Sequence, residues 1–179
     1  MSQALTEKCD RLFAIYDADG NGHLDSNDVD IMARKILEGG NVPADSAKAK
    51  NMTEEFRSWW RSLSDLADAD GDGIITREEF RTALGGLPAP QLRETLQRAV
   101  DAQFTALDAD DDNEIPLDLL VAVFTHGGVS PEDAAEAARA LDANGDNTIT
   151  RDEYVSAWVT FLTSDDPDAP GSRILGRLN

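Results

Sequence analysis

Apolar side chains recur at three- and four-residue spacing along most of the chain, and short acidic segments interrupt them. Leu5, Cys9, Leu12, Phe13 and Tyr16 predict a helix over residues 2–16. Val29, Ile31, Met32, Ile36 and Leu37 predict a second over 29–39, stopped by Gly39-Gly40. After an Asn41-Val42-Pro43 connector, Met52, Phe56, Trp59, Leu63 and Leu66 predict a long helix from Ala44 to Ala67. Trp60 adjoins Trp59, so one ring belongs to the core and the other to a boundary between lobes. Further helices are expected from Arg77 to about Leu84 and, on Leu92, Leu96, Val100 and Phe104, from about Ala89 to Leu107. A short apolar helix over 117–126 comes next. Ser130 then caps a helix with Pro131 at its first position, and Tyr154, Trp158 and Phe161 mark the last. The pattern predicts an all-α fold.

The interruptions are themselves a repeat. Variants of Asp-x-Asp-x-Asp begin at Asp17, Asp68, Asp108 and Asp142, each between two helical stretches. The segment 68–79 is the most regular. Asp68, Asp70 and Asp72 alternate, Gly73 follows, and Glu79 closes at the twelfth position. This is the ligand order of an EF-hand calcium loop. Calcium takes six to eight oxygens. Three aspartates wrap one side, the Ile74 carbonyl adds one, Thr76 reaches the ion directly or through water, and Glu79 supplies two. Ile75 carries no ligand and is positioned to pair with a partner loop through a short β-bridge.

The other three loops are ranked against that standard. Loop 142–153 meets it, with Asp142, Asn144 and Asp146, the Thr148 carbonyl and a closing Glu153; Ile149 is its pairing residue. Loop 17–28 offers Asp17, Asp19, Asn21 and the His23 carbonyl, with Gly22 at the turn and Leu24 for pairing, but closes with Asp28. Aspartate is one methylene shorter, which lowers the coordination number and favours magnesium relative to calcium. Loop 108–119 has Asp108, Asp110 and Asp112, then Asn113 at the turn, Pro116 at the ninth position and Leu119 at the twelfth. A closing leucine cannot ligate, so this loop is read as metal-free, kept by Ile115 as the pairing partner of loop 142–153. About three calcium ions per chain are expected, with magnesium an alternative in loop 17–28.

Charge and composition narrow the function. The formal net charge is −19, which argues against nucleic acid and anionic lipid as partners. A single cysteine rules out an internal disulfide, and no signal peptide or membrane-spanning stretch is read, so the expected setting is cytoplasmic. Cys9 lies on an apolar helix face and is read as a buried core thiol. Three domains of organisation are expected: one EF-hand pair over 1–86, a second over 87–164, and a tail over 165–179 that folds back through Ile174, Leu175 and Leu178. Thirty-nine residues separate the first two loops, 28 the second and third, and 22 the last two.

Four EF-hand units, a long first linker, one defunct loop and an apolar tail together resemble the sarcoplasmic calcium-binding protein family, its bacterial calerythrin-type members included. The resemblance implies two EF-hand pairs packed compactly face to face, and a calcium buffer or signal modulator. The alternative is a calcium sensor that changes shape and regulates a partner protein, whose identity the sequence does not give. Only three methionines occur, whereas adaptable sensor grooves are rich in them. An enzyme is not expected, because the two histidines fall in a metal loop and near a helix end. A monomer is expected.

Overall fold

A computed structural model describes residues 3–86 and 89–163. The described residues form eight helices: α1 Gln3–Tyr16, α2 Ser26–Gly39, α3 Ala47–Ala67, α4 Arg77–Gly86, α5 Ala89–Leu107, α6 Leu117–His126, α7 Pro131–Leu141 and α8 Arg151–Thr163. Four short strands lie in the loops: β1 His23–Leu24, β2 Ile75–Thr76, β3 Glu114–Pro116 and β4 Thr148–Thr150. The tail over 165–179 and the Leu87-Pro88 junction lie outside the described residues.

Two helix starts differ from the sequence expectation, and both follow from capping. The second helix begins at Ser26 rather than at 29, because Asp25 and Asp28 form a reciprocal capping box. Asp28, a candidate metal ligand, is thus also a helix-start residue. The third begins at Ala47 rather than Ala44, because the Ser46 hydroxyl accepts from the Ala49 N–H and fixes the first turn there.

The strands pair the loops two by two. Leu24 stands opposite Ile75 in one antiparallel bridge, and Ile115 opposite Ile149 in the other. All four side chains are buried, so each bridge is sealed by an apolar pair that ties two loops together.

An arginine after each second strand repeats one clamp. Arg77 stacks on Phe13 at 4.5 Å and donates from Nη1 to the Asp10 carbonyl; Arg151 stacks on Phe104 at 4.6 Å and donates from Nη1 to the Asp101 carbonyl. Phe13 and Phe104 each lie four residues before a loop's first aspartate, whose N–H bonds back to their carbonyls. The clamp therefore holds the helix entering one loop against the helix leaving its partner. In the first pair, Arg81 adds a two-pronged contact to Asp10, with both N···O distances 2.6 Å.

The two pairs share one core running from Cys9 to Phe161. Helix α3 packs on α5, and α2 on α6. The second crossing is close: a Cβ on Gly39 would stand 2.9 Å from the Val123 Cα. Glu38 and His126 meet beside it at 3.1 Å. Trp59 is buried, packed edge-on against Tyr16, and Trp60 is half-buried. Burial pushes the Cys9 thiol up to about 11, with Asp10 adding to the rise, so it is a core group rather than a nucleophile.

Candidate metal centres

In loop 68–79 the carboxylates are already arranged by the loop's own backbone. Asp68 caps the end of α3 and accepts from the N–H groups of Gly71 and Gly73 at 2.8 and 3.0 Å. Asp72 accepts from Ile74 N–H at 3.0 Å. Glu79, on the first turn of α4, folds back over the loop: Oε1 accepts from Ala69 N–H at 3.0 Å, and Oε2 from Thr76 N–H and its hydroxyl at 2.9 and 2.7 Å. These donors hold the Glu79 carboxyl below the usual range. Oxygens of Asp68, Asp70 and Glu79 lie within 4.8 Å of one another, a spacing that a single cation can bridge.

Loop 142–153 repeats the scheme. Asp142 accepts from Gly145 and Asn147 N–H groups at 2.7 and 3.0 Å. Glu153 accepts from Ala143 N–H at 3.1 Å and from Thr150 N–H and hydroxyl at 2.9 and 2.7 Å. Asn144 stands in place of the second aspartate and donates to Asp146 at 2.8 Å. Thr148 N–H and hydroxyl, its largest partners, hold the Asp146 carboxyl low.

Loop 17–28 shows how a shorter closing residue is accommodated. Asp28 Oδ1 accepts from Ala18 N–H at 2.9 Å and Oδ2 from Asp25 N–H at 2.9 Å. These are the second and ninth positions of the loop, the same two amides that Glu79 and Glu153 engage. Asp28 therefore stands where a closing carboxylate stands, but buried at 2% exposure. Burial pushes its carboxyl up, and the amides of Asp25, Asp19 and Ala18 offset part of the rise. Asp17 accepts from Gly22 N–H through Oδ2, while its Oδ1 is buried with no hydrogen-bond partner. An orphaned carboxylate oxygen aimed at a cluster with Asp19 and Asp28 fits a cation. Asn21 Oδ1 is held by the His23 N–H at 3.0 Å, and the His23 ring lies 4.0 Å from Asp25.

Loop 108–119 keeps the shape without the closure. Asn113 adopts φ +65, as Asn147 does at +68, so asparagine serves where the other two loops have glycine. Asp108 accepts from Asp112 and Asn113 N–H groups, and the Asp108, Asp110 and Asp112 oxygens converge within 4.8 Å. Leu119, however, packs against the hydrophobic core. The Lys48 ammonium, from α3, donates to the Asp108 carbonyl and meets Asp111 at 2.7 Å. Sequence reasoning missed Lys48, since it lies sixty residues away and carries no motif.

Comparison with known proteins agrees with this arrangement. A model described as an EF-hand domain pair matches residues 6–85, and an EF-hand model matches 139–156. Calerythrin of Saccharopolyspora erythraea is 28% identical over 160 residues, covering 87% of this chain and 90% of its own. The sarcoplasmic calcium-binding protein alpha chain of Penaeus vannamei is 25% identical, covering 92% and 90%. A Streptomyces coelicolor calcium-binding protein, described as a structural basis for prokaryotic calcium-mediated regulation, superposes with a TM-score of 0.80 at 31% identity, covering 89% and 98%. The paired loops, their closing carboxylates and these relatives place the chain among the calcium-binding EF-hand proteins of the calerythrin and sarcoplasmic calcium-binding protein family.

Proposed function

We propose that the chain holds calcium in loops 17–28, 68–79 and 142–153, leaves loop 108–119 metal-free, and acts as a calcium buffer or signal modulator without catalysing a reaction. The observation that carries the site count is the common position of Asp28, Glu79 and Glu153 over the second and ninth amides of their loops. Leu119 has no side-chain oxygen to place there and packs, half-buried, against the core instead. Loop 17–28 is the one that takes magnesium in competition, since its closing group is short and buried. The protein works as a monomer in the cytoplasm, in keeping with a lone buried thiol.

A core continuous between the two pairs supports the buffer, because helices already packed on one another have little apolar face left to offer a partner. The second reading is a sensor that regulates a partner protein. It is favoured by the 31% identity to the Streptomyces protein described in terms of calcium-mediated regulation. A hydrophobic-surface dye separates the two during a calcium titration. The buffer loses dye fluorescence as metal compacts the chain; a clear gain in the calcium form would overturn it in favour of the sensor.

A further inference from the structure

Loop 108–119 differs from the other three at a position that supplies no ligand. The fourth residue is Gly20, Gly71 and Gly145 in those loops, at φ +75, +75 and +76, and a Cβ there would meet nothing within 4 Å. In loop 108–119 it is Asp111, at φ +62. Among the described residues at positive φ, Asp111 alone is neither glycine nor asparagine. Left-handed backbone strains such a residue, and the strain persists only where the surroundings hold it. The holder is Lys48, in the first turn of α3, whose ammonium meets Asp111 at 2.7 Å and donates to the Asp108 carbonyl. Helix α3 belongs to the first EF-hand pair and loop 108–119 to the second.

Four aspartates crowd five residues here: Asp108, Asp110, Asp111 and Asp112. With the loop metal-free, no divalent ion offsets their repulsion, and the Lys48 ammonium brings a fixed positive charge instead. Asp111 is largely exposed, so its attraction to Lys48 is weak by itself. Donation to the carbonyl of Asp108, a residue 3% exposed, is charge-assisted and the firmer of the two ties. From there the shape of the loop passes onward by hydrogen bonds. The Asp108 carboxylate accepts from the Asp112 and Asn113 N–H groups, and Asp112 accepts from the Glu114 N–H at 2.9 Å. Glu114 and Pro116 stand opposite Thr150 and Thr148 in the bridge. Those two threonines donate to the carboxylates of Glu153 and Asp146. We propose that Lys48 is a positioning residue for calcium in loop 142–153: a resident counter-ion that keeps loop 108–119 in the shape of a filled loop, so that its partner's ligands are held ready. This rests on loop 108–119 being metal-free.

A site-resolved calcium titration of the full chain tests it, following the amide resonances of residues 142–153 by NMR beside a calorimetric ion count. Lys48→Met keeps the stem and removes the charge; it should weaken calcium at loop 142–153 about fivefold, the lower end of coupling between distinct sites. Lys48→Arg should restore most of the loss. Asp111→Asn leaves the left-handed backbone accessible and should weaken the site less, with the double variant no weaker than Lys48→Met alone. In the metal-free chain, Lys48→Met should melt below the wild type at low salt, the gap closing as salt is added. Unchanged affinity at loop 142–153 in Lys48→Met overturns the proposal, as do an equal loss in Lys48→Arg, additive losses in the double variant, or a melting gap that salt leaves untouched. If Lys48→Met does not fold, Asp111→Asn decides, and unchanged affinity there overturns it. A fourth ion in the wild type overturns the metal-free reading and this proposal with it; a count of three with no effect of Lys48 overturns the proposal alone.

Discussion

At the scale of single residues, the closing position decides what each loop can hold. Glu79 and Glu153 reach the second and ninth amides with a longer side chain; Asp28 reaches the same pair from inside the protein, at the start of α2. Asp28→Glu should therefore raise calcium affinity relative to magnesium, read as a smaller shift in the calcium titration when magnesium is added. Asp10 offers a test of a different kind. Its hydrogen bonds and charge contacts with Arg81, and then Arg77, hold its carboxyl below the ordinary value, so the folded state binds its proton less readily than the unfolded chain. The stabilisation is present above the unfolded pKa of about 3.9 and is lost as pH falls through the lower folded value. Urea unfolding should find Asp10→Asn less stable than the wild type near neutrality, with the gap closing in acid; a gap that widens in acid would contradict the ion-pair account. Most of this scale was legible in sequence, because a metal loop writes its ligands at fixed local spacing. The capping role of Asp28, a candidate ligand, leaves no mark in the loop pattern, because the spacing of ligands does not say where the next helix starts.

At the scale of elements, each loop leans on its neighbour. Loop 108–119 earns its place through Ile115, buried against Ile149 across the bridge. Ile115→Ala should cost about 2–5 kcal/mol in chemical unfolding and weaken calcium binding at loop 142–153, although the altered residue is in another loop. Unchanged affinity there would show that the bridge does not couple the two. The arginine clamps act in the same direction, from Arg77 to the helix before Asp17 and from Arg151 to the helix before Asp108. Helix identity and loop pairing were readable from periodicity and from the apolar residue at the eighth position. The clamps and Lys48 were not, because contacts between residues so far apart in the chain leave no local mark.

At the scale of the whole molecule, charge and packing oppose each other. Nineteen net negative charges repel, and the shared core with its close α2–α6 crossing resists. Gly39→Ala pushes a methyl group into the Val123 backbone and should destabilise the calcium form by about 1–3 kcal/mol, seen as a lower melting temperature. Metal stabilises by mass action, by about 2.7 kcal/mol per site at a hundredfold excess over its dissociation constant. Stripping calcium should therefore lower the melting temperature sharply, and added salt should recover part of the loss by screening the acidic loops. How the two pairs sit together follows from contacts between distant helices, which sequence spacing alone does not encode. The central claim is the number of ions held, and calorimetric titration of calcium into the metal-free full chain measures it directly. Three ions per chain are predicted, falling to two in Glu79→Gln; a wild-type count of four would contradict the reading of Leu119, and a count of two would contradict that of Asp28.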